Sequence, residues 1–153
     1  MSAIASAAPG TVGRSSRVAA IFTKLPILVL TAILIMIALR YLISPVQTGA
    51  AAGISFTSPG GVTVARVGFG GFPLAFAAIF LACLFSRRHL LAGLRTELML
   101  LAIVIGVRLV GMALAHSAET AKLLVPELVL SALCIFAIRL ETDRRKHADL
   151  ALD

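Results

Sequence analysis

The chain has 153 residues, of which 59% are hydrophobic and 14% charged, against roughly 45–50% and about 25% in soluble domains. A single small domain cannot cover that much apolar surface, so a soluble globule, a disordered chain and a disulfide scaffold are excluded and an integral membrane protein remains. The net charge of +7, from 14 Lys and Arg against 7 Asp and Glu, flanks the apolar runs instead of forming one patch, which argues for membrane topology and against a nucleic-acid partner.

Residues 1–24 are rich in Ala, Ser and Gly and carry Arg14, Arg17 and Lys24 without an acid. They read as a flexible, basic cytoplasmic tail and not as a cleaved leader, because no small-residue cleavage site closes the run that follows. The transmembrane domain covers 25–140. Its runs of about 20 apolar residues are the signal of membrane-spanning helices. They are 25–43 (LPILVLTAILIMIALRYLI), 66–85 (RVGFGGFPLAFAAIFLACLF), 97–115 (ELMLLAIVIGVRLVGMALA) and 121–140 (AKLLVPELVLSALCIFAIRL). None alternates strictly, so a barrel is not expected. Between the first two runs, residues 44–65 place strand-like residues around Pro59-Gly60-Gly61, the pattern of a short hairpin. In the second run, Gly68, Gly70, Gly71 and Pro73 predict a disturbed helix, since proline frees the carbonyl of Phe69. Residues 141–153 form a polar tail that extends the fourth helix.

The fold class is therefore all-α: an integral membrane four-helix bundle. Arg87, Arg88 and Arg95 lie between spans two and three, and Arg139, Arg144, Arg145 and Lys146 lie at the C-terminal side. The loops 45–65 and 116–120 carry no Lys or Arg. Positive charge marks the cytoplasmic side, which places both termini there, as four spans require.

Arg40, Arg66, Arg108 and Glu127 lie inside or at the ends of the apolar runs. On this topology all belong to the outer half, and the inner half has no comparable set. Charged groups in a bilayer cost several kcal/mol and face partners, a cavity or the interface. Two readings stand. In one, Arg108 and Glu127 form a packing ion pair while Arg40 and Arg66 snorkel outward. In the other, Arg40, Arg66, Arg108 and Glu127 form one ligand site, whose excess positive charge suits a phosphate, a carboxylate or a quinone-like carbonyl. Gly71, Ala75, Ala78 and Ala82 make a stripe of small residues for close helix packing. Gly70, Gly71, Ala75 and Gly111 are the packing candidates.

Other groups carry less. Cys83 and Cys134 sit in apolar runs without a metal or redox spacing. His116 and Glu119 lack a third ligand for a metal. Hydrolase, P-loop, zincin and dinucleotide motifs are missing, so no cofactor is implied. Tyr41 reads as an interfacial anchor.

The segments R-V-G-F-G-G, R-L-V-G and P-E-L-V resemble those of a bacterial membrane family, number 4345 of the domain-of-unknown-function series. The likeness covers about residues 25–140 and rests on Arg66, Gly70, Gly71, Arg108, Gly111 and Glu127. The H-S-A-E-T turn departs from the Asp-Gly turn of that pattern. A more distant likeness is to DoxX-like four-helix proteins. These resemblances imply a bacterial inner-membrane location and, for the second, a partner subunit in a membrane complex. Apart from the bilayer, the expected partners are an anionic lipid, a quinone-like ligand, a membrane complex or further copies of the chain. The expected function is a binding or accessory protein. The alternatives are a small enzyme, with Glu127 as acid–base and Arg108 and Arg66 as anion clamps, and a purely structural subunit.

Overall fold

The computed structural model describes residues 12–86 and 88–149, with side chains over 21–86 and 88–147. Residues 1–11 and 150–153 of the expected tails, and Arg87 of the basic loop, lie outside the described residues. The described residues are mostly helical and contain no strand. Helix α1 covers Val12–Ile43, α2 Pro45–Ala51 and α3 Pro59–Ala65. A π-helical turn, Arg66–Gly71, joins α3 to α4 at Phe72–Phe85. Helix α5 covers Leu90–Ala115. A 3₁₀ turn at Ala121–Leu123 leads into α6, Leu124–Asp149.

Four stretches are long and apolar enough to cross a membrane: Ile21–Ile43, Pro59–Phe85, Leu90–Ala115 and Ala121–His147. The chain thus has the build of a multi-pass membrane protein in a lipid bilayer, and the many exposed Leu, Ile, Val and Phe side chains suit lipid as their solvent.

Three boundaries differ from the sequence reading. Helix α1 extends back through residues 12–24 of the expected tail, where Ala, Arg and Val are compatible with a helix and no proline precedes Pro26 within it. The expected hairpin in 44–65 is absent. Ser58 instead caps α3, accepting the Gly61 N–H at 3.1 Å, and Pro59 occupies the first turn, where its missing N–H costs nothing. The second span accordingly begins at Pro59, and the third begins at Leu90, seven residues before Glu97.

The disturbed start of span two takes a definite form. The N–H of Phe72 reaches the Val67 carbonyl, five residues back. Such a widened turn carries an extra residue inside a helix and is common at functional sites. It ends just before Pro73, which has no N–H to contribute. Gly70 faces α1 there: a Cβ on it would stand 2.9 Å from Leu42 side-chain atoms.

Helix α1 packs against α4, α5 and α6, while α4 meets α5 and α5 meets α6. Helices α1, α4 and α5 approach closely at Gly93, where a Cβ would lie 2.7 Å from Cys83 Cβ and 3.2 Å from Ile27 Cδ1. That contact and the 3.5 Å hydrogen bond from Arg145 Nη2 to the Arg88 carbonyl belong to one end of the molecule. It holds Lys24, Arg88, Arg95, Arg139 and Arg144 and is called the basic end below. The core of Ile27, Leu30, Phe80, Leu84, Leu90, Leu94, Leu101, Leu130, Cys134 and Ala137 is weighted toward it. Beyond Leu101, α5 is covered only in part, along Ile105, Arg108 and Met112.

Candidate functional site

Arg108 and Glu127 meet between α5 and α6. Arg108 stands seven residues before the last residue of α5, about 10 Å from that end at 1.5 Å per residue. Glu127 follows Pro126 in the first turn of α6, where the free N–H groups favour an acid. The Arg108 Nε donates to both carboxylate oxygens at 3.2 and 3.1 Å, and Nη2 donates to Oε1 at 2.5 Å. Their side chains are 20% and 15% exposed. Ser131 Oγ donates to the Glu127 carbonyl at 2.8 Å, which ties this face of α6 together. Both charges are thereby neutralised, and an acid–base role for Glu127 would first require opening the pair.

Arg40 and Arg66 stand apart from that pair. The guanidinium groups of both make no hydrogen bond or ion pair with the described residues, and both side chains are exposed. Arg40 lines a groove of about 640 Å³ with Met36, Ile37, Tyr41, Gln47 and Thr48. Arg66 lines one of about 270 Å³ with Val46, Gln47 and Val62. The two grooves share Ile43, Ser44 and Gln47, so the two cations flank one turn between α1 and α2. Local chemistry fixes that turn. Thr48 Oγ1 donates to the Ser44 and Arg40 carbonyls at 2.8 and 3.1 Å, a second bond to oxygens that already accept the Thr48 and Ser44 N–H groups at 3.0 and 2.9 Å. Tyr41 packs on Phe69 of the π turn with ring centroids 4.9 Å apart. The four residues read from sequence as one site therefore fall into a neutral pair and an unpaired pair.

The packing candidates divide too. Gly70 is buried against α1. Gly71, Ala75 and Gly111 are exposed, as are Ala78 and Ala82, and a Cβ on Gly111 would meet nothing within 4 Å. Within this chain the stripe does not mediate packing. The buried line of α4 is Ala77, Phe80 and Leu84, and the close approach falls to Gly93, which the sequence reading passed over.

His116 takes the left-handed conformation, φ 47°, at the end of α5. The Ser117 N–H then returns to the Met112 carbonyl at 3.2 Å, as in a Schellman cap, where glycine is usual. Glu119 and Arg108 line a groove of about 350 Å³ with Gly111, Met112 and Ser117. The described residues contain no group of three His, Cys, Asp or Glu placed to hold a metal ion.

Glu97 is the residue that sequence reading missed. It stands seven residues into α5 from the basic end and is 0% exposed. Neither carboxyl oxygen has a hydrogen-bond partner, nor has Thr31 Oγ1. The half of the protein expected to hold no set comparable to Arg40, Arg66, Arg108 and Glu127 therefore holds the most buried charge-bearing group among the described residues. Its neighbour Cys134 donates instead to the Leu94 carbonyl at 3.1 Å.

Comparisons with protein-family models, curated proteins and solved structures return no match for this chain.

Proposed function

We propose that the chain is a small membrane-embedded binding protein that holds the head group of an anionic amphiphile between Arg40 and Arg66. The observation that carries this reading is the convergence of two unpaired guanidinium groups on the Ile43–Gln47 turn. Arginine presents a planar fork of donors that matches phosphate or carboxylate. The Arg40 groove continues along Met36 and Ile37, an apolar wall suited to an acyl or isoprenoid chain. Arg108 and Glu127 serve as an internal latch of the same protein. In this reading the four spans form a bundle in a bacterial inner membrane, with both termini cytoplasmic and the arginine pair at the outer surface, as the distribution of Lys and Arg supports. Membership of family 4345 is proposed on the R-V-G-F-G-G, R-L-V-G and P-E-L-V segments alone.

The test is native mass spectrometry of the protein released from nanodiscs containing phosphatidylglycerol and phosphatidylcholine. Wild type is expected to retain phosphatidylglycerol, and Arg40→Gln/Arg66→Gln to lose that preference while Arg108→Gln keeps it. Equal retention by wild type and the Arg40→Gln/Arg66→Gln variant would refute the assignment.

A further inference from the structure

A second polar site lies in the packed interior and is independent of the arginine pair. Helices α1 and α5 leave the basic end in the same direction, and Ile27 touches α5 at Gly93. Thr31 and Glu97 each stand four residues beyond that contact, one turn further along the same faces. This register brings Thr31 and Glu97 to about the same height in the α1–α5 contact. Both residues are buried, at 2% and 0% exposure, and both side chains lack hydrogen-bond partners. From α6, Cys134 comes beside Glu97.

Among the described residues no cation offsets the carboxyl. On α1 the nearest charged residue, Lys24, is exposed, and α4 carries no charged residue. On α5, Arg95 is exposed and Arg108 is bound to Glu127. On α6, Arg139 is exposed and Glu141 is bound to Arg144 and Arg145. An ionised carboxylate in such surroundings would lose its hydration without a cation in return, at a cost far above that of the neutral acid. Glu97 is fully buried beside Cys134, with Leu94 and Leu101 of the core one turn to either side of it on α5, whereas metal cations such as calcium require six or more oxygen ligands. The ligand that fits is the smallest one.

We propose that Glu97 is an intramembrane proton-binding site: a carboxylic acid that keeps its proton in the resting protein, with Thr31 and Cys134 as the polar groups that face the carboxylate when the proton leaves. Membrane proteins that move or sense protons use ionisable groups at such depths. Loss of the proton would leave a charge in the α1–α5–α6 contact, so release is coupled to loosening of that contact or to entry of water.

Full-length protein in detergent, treated with dicyclohexylcarbodiimide, tests this assignment. That reagent adds to protonated carboxyl groups in apolar surroundings and keeps all its atoms in the product. Peptide mapping is expected to find it on Glu97 and not on the ion-paired Glu127 or Glu141. The infrared spectrum of wild type minus Glu97→Gln is expected to show the C=O stretch of a protonated acid at neutral pH. This band decides the matter even where the bulky reagent is kept out. If Glu97→Gln does not fold, the shift of the same band in wild type on transfer to heavy water replaces the difference spectrum. Carboxylate bands in place of the acid band would overturn the proposal. So would protection from labelling by sodium but not by choline chloride, which would make the site one for an alkali cation.

Discussion

Gly93→Ala tests the packing at the basic end most directly. The added Cβ would stand 2.7 Å from Cys83 Cβ and 3.2 Å from Ile27 Cδ1, against about 3.5–4.0 Å for carbon atoms in ordinary contact. The first obstacle is fixed to the α4 backbone and cannot rotate away, so α4 and α5 must separate by close to 1 Å. Overpacking of this kind costs about 1–3 kcal/mol. Against it, alanine is a better helix former than glycine by about 0.8–1.0 kcal/mol. The net expectation is a loss of about 1 kcal/mol, roughly fivefold in the unfolding equilibrium. Gly111→Ala is the control, since its Cβ meets nothing and the helix preference acts alone. Reversible unfolding in mixed micelles, followed by circular dichroism, should show Gly93→Ala less stable than wild type and Gly111→Ala equal or more stable. A Gly93→Ala protein as stable as wild type would refute the close approach of α4 and α5. A large loss in Gly111→Ala would show that the exposed face of α5 is covered by another copy or partner.

The remaining expectations concern single interactions. Arg108→Leu and Glu127→Leu should each destabilise, since a buried charge left without its partner costs about 3–5 kcal/mol when fully enclosed and less at 20% and 15% exposure. The double variant should recover part of that loss, and a double-mutant cycle in micelles measures the difference. Ser58→Ala removes the cap on Gly61 N–H and should cost about 1 kcal/mol, seen as faster hydrogen exchange in α3. His116→Gly relieves a left-handed residue at φ 47° and should raise thermal stability slightly, since such a conformation costs non-glycine residues about 1–2 kcal/mol. A reporter that is active only in the cytoplasm should work when fused after Asp153, and activity of a periplasmic reporter there would overturn the proposed orientation.

The apolar runs made the number of spanning stretches legible, because length and composition are local properties. Burial was less so, because it depends on which face meets which neighbour. The apolar run 97–115 starts at Glu97 by composition. The helix continues back to Leu90 through Gly93 and Leu94, both buried, so Glu97 is two turns inside. The small-residue stripe failed for a related reason. Gly71, Ala75, Ala78 and Ala82 share one face of the second span, but the π turn and α4 present Gly70, Ala77, Phe80 and Leu84 inward. The stripe lies on the exposed side, beside Phe72, Phe76 and Ile79. The pairing of Arg108 with Glu127 was foreseeable from depth and charge, whereas the separation of Arg40 and Arg66 from it depends on how α2 and α3 fold between the first two spans. The Ser58-Pro59 start of α3 was present as a capping signal in the sequence, hidden beneath a stronger turn pattern.

Lipid changes the weight of these contacts. Helices in a bilayer gain nothing from bringing apolar side chains together, since lipid tails solvate them equally well, and association rests on close packing and polar links. At the basic end Gly93, Cys83 and Ala137 supply close packing. Toward the other end, α5 presents Val104, Val107, Val110 and Leu114 to lipid, and its cover against α6 thins to one seam. The Arg108–Glu127 pair sits on that seam. Its loss should therefore separate the ends of α5 and α6 around residues 108–127 while the packed end stays closed. Spin labels at Leu114 and Val125, both exposed, measure that spreading. A uniform loss of structure in Arg108→Leu would contradict it, because the core near Glu97 owes nothing to the pair.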